Sequence, residues 1–218
     1  MCGRYALAVS EEDLVEVFDL PGLTFEHHPR YNIAPGQLAP VVAEDDRGRR
    51  MGLLEWGFLP AWKDEPTGAF INARAESVAR KRSFREAFAR RRCLVPANGF
   101  YEWKARDGRK IPHWIHPAAG GLVSFAGIWE SWQRPGAEPR HTFAILTTDA
   151  NAEVAPIHDR MPVVVAPGDR DRWLDRSTPT GRLGDLLVPA ADGSFEVREV
   201  SPRVNRPDDD DAGLIEPR

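Results

Sequence analysis

Cysteine is scarce in this sequence, with Cys2 and Cys93 as the two thiols in 218 residues. That scarcity excludes a disulfide framework and fits a reducing compartment. With no CxxC spacing it also argues against a structural zinc site, and no metal or cofactor is expected. Lysine is almost as rare: Lys63, Lys81, Lys104 and Lys110 stand against 25 arginines. A GC-rich genome produces such a bias, but Arg also suits phosphate through its fixed fork of donors. No apolar run approaches the roughly 20 residues that a membrane helix needs. The opening MCGRYALAVSEEDL has one arginine, then acids, and no long apolar stretch, so it does not read as a signal peptide. A soluble, cytoplasmic protein without a membrane partner is expected. Repeats and low-complexity linkers are missing too, which points to one domain over residues 1–218.

What is present is ordinary in bulk: 42% hydrophobic and 28% charged residues, with a net charge of −4. Global disorder is excluded, as is a simple polycation that coats nucleic acid. The charge is segregated, however. Residues 74–92 hold eight basic side chains against Glu76 and Glu86, and residues 208–211 are four consecutive aspartates. Such runs are either solvated faces or the footprint of an anionic partner.

The 19 prolines and 18 glycines are scattered as punctuation between short segments. Ser10 and Asp13 form a capping-box pattern ahead of an amphipathic helix with Leu14, Val17 and Phe18 on one face. Ser83 and Glu86 repeat that pattern ahead of Phe84, Ala87 and Phe88. Strand-like runs cover 38–43, 93–96, 100–103, 113–116, 122–129, 142–147 and 162–165, with further helices over 169–174 and 181–187. Strands in runs with helices grouped between them predict an α+β domain, mainly antiparallel sheet with a barrel-like core and short peripheral helices. The tail after about residue 206 reads as irregular.

Chemistry starts at the second residue. Removal of Met1 is favoured by a small second side chain, and it would leave Cys2 with a thiol and a free α-amine on adjacent carbons. An α-amine titrates at roughly 7.7–8.0, against about 10.4 for Lys, so much of it is neutral near pH 7. Amine and thiol together condense with an aldehyde to an imine and then a five-membered thiazolidine. Gly3 permits a tight turn, and Arg4 sets a cation beside the thiol, to lower its pKa or to hold a phosphate. Further on, YNIAPGQ (31–37) reads as a loop, and Asn32 and Asn72 are either turn caps or site residues. Trp56 and Trp62 are either core or stacking platforms. Pattern alone turns Glu102 outward between Tyr101 and Trp103; turned inward, desolvation would raise its pKa and make it a proton donor or acceptor. His158 is either an ordinary histidine or a catalyst.

As a set, MCGRY, NIAPGQ, WGFLPAW, INARAES, CLVPANGFYEWK, SFAGIWESW, ILTTDAN, IHDRMPVVV and SPRVN, in this order, resemble the SRAP (SOS-response-associated peptidase) family from Cys2 to about Asn205. The resemblance implies a DNA-repair protein that traps abasic sites in single-stranded DNA, or at a single-strand/duplex junction. It assigns the nucleophile to Cys2, and active-site roles to Asn72 (orienting the α-amine or sugar hydroxyl), Glu102 (proton shuttle) and His158 (proton donor to the sugar oxygen). Arg4, Arg74 and Arg160 match phosphate-gripping positions. Pro35, Trp56 and Trp62 become candidates for shaping the groove or stacking on a base, and Thr147 and Thr148 for hydroxyl contacts to the DNA backbone. A peptidase-like activity and a β-elimination (lyase) activity accompany the family name, and a monomer is the default. The rival readings are a cysteine hydrolase with Cys2 as nucleophile and His158 as base, and a DNA-binding module without chemistry.

Overall fold

In the computed structural model, which describes residues 2–136 and 138–218, two β-sheets face each other across a shared core. The strands are β1 (Tyr5–Leu7), β2 (Arg30–Ile33), β3 (Leu38–Asp45), β4 (Gly48–Trp56), β5 (Asn72–Arg74), β6 (Arg92–Ala97), β7 (Gly99–Arg106), β8 (Arg109–Pro117), β9 (Val123–Trp132), β10 (Arg140–Asp149), β11 (Arg160–Pro162) and β12 (Phe195–Glu199). The first sheet runs β12-β8-β7-β1-β2, with every pairing antiparallel. The second runs β11-β10-β4-β3-β6-β9, with β5 beside β10. It is antiparallel except where β10 meets β4 and β5.

The α+β class therefore holds, and the barrel-like expectation needs correction. The second sheet curls until β9 pairs with β10. Two of its joints are minimal: β3 meets β6 through Val42 and Leu94, and β4 meets β10 through two residue pairs. Hydrogen bonding at those seams is too sparse for a closed barrel. Between the sheets, Trp56 stacks on Phe143 with centroids 6.3 Å apart and meets the edge of Tyr5 at 5.1 Å. Phe100 and Phe125 pair edge-to-face at 5.9 Å. These contacts join residues of both sheets, which fixes one sheet relative to the other.

Local chemistry accounts for the elements. Ser10 caps α1 (Glu11–Phe18): its Oγ accepts the Asp13 N–H at 3.1 Å while Asp13 accepts the Ser10 N–H. Leu14 and Phe18 are buried, whereas Val17 is 39% exposed. α2 (Ala75–Val78) and α3 (Arg85–Arg90) follow, and α3 is preceded by Phe84, so Ser83 is no cap, though Phe84, Ala87 and Phe88 form the buried stripe. α4 (Arg170–Leu174) matches its expectation; two 3₁₀ turns, Thr180–Arg182 and Gly184–Leu186, replace the helix over 181–187. β11 covers only the start of the predicted 162–165 run. Asp107 and Gly108, both with positive φ, close the β7–β8 hairpin in a two-residue turn, as an Asp-Gly pair favours. Gly99 is required, because a Cβ there would lie 2.8 Å from the Trp114 ring.

The tail is irregular in backbone yet firmly docked. Its 3₁₀ turns, Pro202–Asn205 and Ala212–Leu214, bury Val204 and Leu214 against Ala6, Tyr101 and Trp114 on the outer face of the first sheet. The aspartate run is not a solvated face either. Asp210 accepts from the Arg30 guanidinium and from the Tyr31 N–H, and Arg203 pairs with Asp209 and Asp211. No helix among the described residues is long and apolar enough to cross a membrane.

Candidate functional site

Pairing between β1 and β7 brings the start of the chain to the candidate acid. Tyr5 lies opposite Phe100, and the Tyr101 N–H bonds to the Arg4 carbonyl at 2.9 Å. Cys2 thus sits beside Glu102, close enough for the carboxylate to act on the thiol. From the second sheet, β5 runs parallel to β10 with Asn72 opposite Ile145, and the Asn72 amide donates to the Cys2 carbonyl at 2.8 Å. Asn72 therefore bridges the two sheets and pins the main chain of Cys2. Its side chain reaches across to Cys2 and caps no turn.

Cys2 is fully buried. Burial pushes its thiol pKa well above the ordinary range, and the Glu102 carboxylate pushes it further. This corrects the expectation that Arg4 lowers it. Arg4 is turned away: its Nη1 donates to Asn32 Oδ1 at 2.7 Å and to the Val204 carbonyl at 2.6 Å. Asn32, fully buried on β2 and so not in a loop, completes the clamp by donating to the carbonyls of Val204, Arg206 and Asp209. Arg4 is a strut between the reactive segment and the tail.

Glu102 is 3% exposed, so it points inward. Burial raises its pKa above the usual carboxylate range, and the charge His158 can carry pulls the other way. Burial and mutual repulsion both disfavour simultaneous ionisation of the Cys2 thiol and Glu102, so the pair retains a proton. His158 Nδ1 accepts the Arg160 N–H at 3.0 Å and lies 2.9 Å from the Asp159 carboxylate. One nitrogen cannot accept the amide proton and donate to Asp159 at once. The amide is fixed by the chain while Asp159 is 86% exposed, so acceptance from the Arg160 N–H assigns the proton of a neutral ring to Nε2.

Glu102 and His158 line one cleft of about 570 Å³, together with Trp103, Lys110 and Asn205. Trp103 Nε1 donates to Asn205 Oδ1 at 2.7 Å, so the docked tail forms part of the wall. Trp103, Lys110 and Asn205 escaped the sequence reading. For Lys110 a signal existed, because the Asp-Gly turn fixes the hairpin register and folds it back beside Ala105. A larger cleft of about 840 Å³ brings together none of the four catalytic candidates, and two of its arginines face acids, Arg91 with Glu130 at 2.8 Å and Arg176 with Asp46 at 2.7 Å.

The DNA-contact candidates divide. Arg160 is almost enclosed: it forms two bonds with Glu76, at 2.5 and 3.0 Å, and also donates to Asp149 and the Thr147 carbonyl. Burial opposes its charge, but these carboxylates more than offset that and hold its pKa above the usual value. A phosphate grip there is corrected to an internal ion pair. Trp56 is core, fully buried, with Nε1 donating to the Ile71 carbonyl. Thr147 and Thr148 are 0% and 4% exposed, so neither hydroxyl meets a strand outside. Pro35 and Arg74 are exposed; Trp62 is 47% exposed, with the Arg82 guanidinium 4.7 Å from its ring centre. Those three retain the positions expected of surface contacts. Among the described residues no three His, Cys, Asp or Glu side chains group to hold a metal ion.

Cys2 is thus held through its main chain by Asn72 beside the buried Glu102, where the two sheets meet. The particular family follows from comparison with known proteins. The model for SRAP, SOS response associated peptidase, matches residues 1–207, and the chain belongs to this family. The abasic site processing protein YoqW of Bacillus subtilis is 40% identical over 99% of both chains. The abasic site processing protein YedK of Escherichia coli is 31% identical over the full length of both. Among solved structures, a phage-related protein of Bordetella bronchiseptica matches with a TM-score of 0.74 and 33% identity, over 91% of this chain and 94% of that one. A Bacteroides thetaiotaomicron protein matches with a TM-score of 0.90 over the full length of both chains at 23% identity, a likeness of fold.

Proposed function

We propose that this protein processes abasic sites in DNA by bonding covalently, through Cys2, to the ring-opened sugar aldehyde in single-stranded DNA. The observation that carries the reading is the convergence of Cys2, its Asn72 anchor and Glu102, with Glu102 and His158 on one cleft. Removal of Met1 frees the α-amine. The amine adds to the aldehyde carbon, the carbinolamine loses its hydroxyl as water, and an imine forms. The thiol then adds across the C=N bond: sulfur bonds to carbon, the thiol proton is lost, and nitrogen gains a proton. The sum is aldehyde plus aminothiol giving thiazolidine plus water.

The side chains have matching tasks. His158, with its proton on Nε2, donates to the sugar ring oxygen as the closed sugar opens. Glu102, whose hold on its proton burial strengthens, donates to the departing hydroxyl, and as carboxylate it takes the thiol proton. Asn72 holds the Cys2 main chain so that the amine meets the aldehyde in one orientation. An imine also acidifies the neighbouring sugar carbon, which supports a β-elimination activity at the same site. The hydrolase reading draws less support, since a buried thiol held neutral beside a carboxylate is not a thiolate–imidazolium pair. The protein acts as a monomer in the cytoplasm.

The test is a denaturing gel of the Met1-cleaved protein with an abasic single-stranded oligonucleotide. A stoichiometric adduct should survive denaturation without borohydride, and Cys2→Ala should abolish it while non-covalent binding persists. An adduct that persists in Cys2→Ala places the nucleophile elsewhere.

A further inference from the structure

Two of the three arginines expected to hold phosphate, Arg4 and Arg160, are bound to protein partners. The reactive cleft nevertheless carries a cation. Lys110 lines it with Glu102 and His158, is exposed, and makes no hydrogen bond or ion pair with another described residue. The pairs Trp103–Pro112 and Ala105–Lys110 put Trp103 and Lys110 on one face of the β7–β8 hairpin, with Glu102 on the other. The cleft draws its lining from both faces. We infer that Lys110 is a positioning residue that holds the phosphate flanking the abasic sugar.

The chemistry follows from what a strand carries. Phosphates flank every sugar, so an aldehyde carbon held between Glu102 and His158 brings a negative charge into the same cleft. Both groups on that acid–imidazole wall have proton-transfer tasks, and neither is a fixed cation. Lys110 supplies a mobile point charge on a flexible stem, able to follow the phosphate as the sugar opens. Trp103 and Asn205, bonded to each other, form a firm wall beside it. The inference rests on the proposed capture of abasic DNA and assigns within it a cation on the cleft wall itself, a place that neither Arg4 nor Arg160 fills.

The experiment compares the Met1-cleaved wild type, Lys110→Ala and Lys110→Arg on abasic single-stranded oligonucleotides. In two of these the 5′- or 3′-flanking phosphate is a neutral methylphosphonate. Lys110→Ala should slow adduct formation roughly three- to ten-fold at limiting DNA, keep the rate at saturation, and flatten the logarithmic salt slope by about 0.7. Lys110→Arg should restore most of the loss. Wild type should lose the same factor on one methylphosphonate, and Lys110→Ala should lose nothing further on it. Equal losses by both proteins on both methylphosphonates would overturn the role. So would a borohydride-trapped adduct mapped to Lys110 in a Cys2→Ala background, which would make Lys110 an amine nucleophile. A wild type that forms no adduct would instead sink the capture reading itself, and this role with it.

Discussion

Two sets of polar side chains differ in where their bonding capacity goes. Arg4, Asn32 and Arg160 spend it on the protein: on Val204 and the tail in one case, on Glu76 and Asp149 in the other. Glu102, His158 and Lys110 line the cleft. The first set ties the surrounding segments together, and the second is the one to which the proposed chemistry assigns its proton transfers and its phosphate contact. A motif names both with equal force, because matching residue types says nothing about whether a guanidinium faces a carbonyl or a solvent channel. The contrast also has an energetic side. Arg160 is buried with two carboxylates to meet its charge, whereas burial works against the charge of Glu102, a cost the proposed proton-transfer role accounts for.

The sharpest way to break that contrast is Glu102→Gln. Removing a positioned proton donor and acceptor should lower the rate of adduct formation by about 10²–10⁴-fold. Stability should move the other way. The folded-state pKa of Glu102 is raised, so the native protein holds its proton more tightly than the unfolded chain. Stability then falls as pH rises from the ordinary carboxylate range through the raised value. Glu102→Gln should therefore melt higher than wild type at pH 7.5, and the gap should close towards pH 4. Equal melting temperatures at both pH values would mean that the carboxylate is not strained in the fold.

Arg160→Gln probes the other set. Loss of its bonds to Glu76, Asp149 and the Thr147 carbonyl should reduce unfolding free energy by about 2 kcal/mol in urea denaturation. The figure is moderate because Glu76 and Asp149 are 49% and 79% exposed and can rehydrate. The salt slope of DNA binding should stay unchanged. A flattened slope with unaltered stability would move Arg160 into the DNA-contact set.

How far the sequence disclosed this arrangement depends on what covers each strand. Runs such as 142–147 were legible because both faces of β10 are buried, and a continuous apolar run reports that directly. Glu102 was not legible from alternation. Tyr101 and Glu102 point to opposite faces of β7, yet both are buried, because the tail packs over Tyr101 while the reactive segment lies beside Glu102. Alternation assumes that one face meets water, and here neither does. β2 was read as a loop because Pro35 and Gly36 end it, and its Asn32 spends its side chain on the tail some 170 residues away, a pairing that no local pattern encodes. Burial of Thr147, Thr148 and Trp56 was hidden for the same reason. Their residue types serve equally well at a surface, and only the places of β4 and β10 inside the sheet decide.

The exposed cations give the smallest effect and the finest discrimination. Arg74 closes β5, is exposed, and its guanidinium makes no hydrogen bond with the described residues, though it lies only two positions from Asn72. A strand whose abasic sugar sits at the Asn72–Cys2 junction therefore passes within its reach. Arg74→Ala should weaken non-covalent binding about three-fold at moderate salt and flatten the logarithmic salt slope by about 0.7, the release of one counterion from single-stranded DNA. Folding stability should stay within about 0.5 kcal/mol of wild type, as befits an exposed guanidinium that acts on Glu76 through a weak charge effect. Arg160→Gln should show the mirror image, stability lost and slope kept. If both variants flatten the slope, or both leave it alone, the division between bound and free cations fails as a guide to which arginines meet DNA.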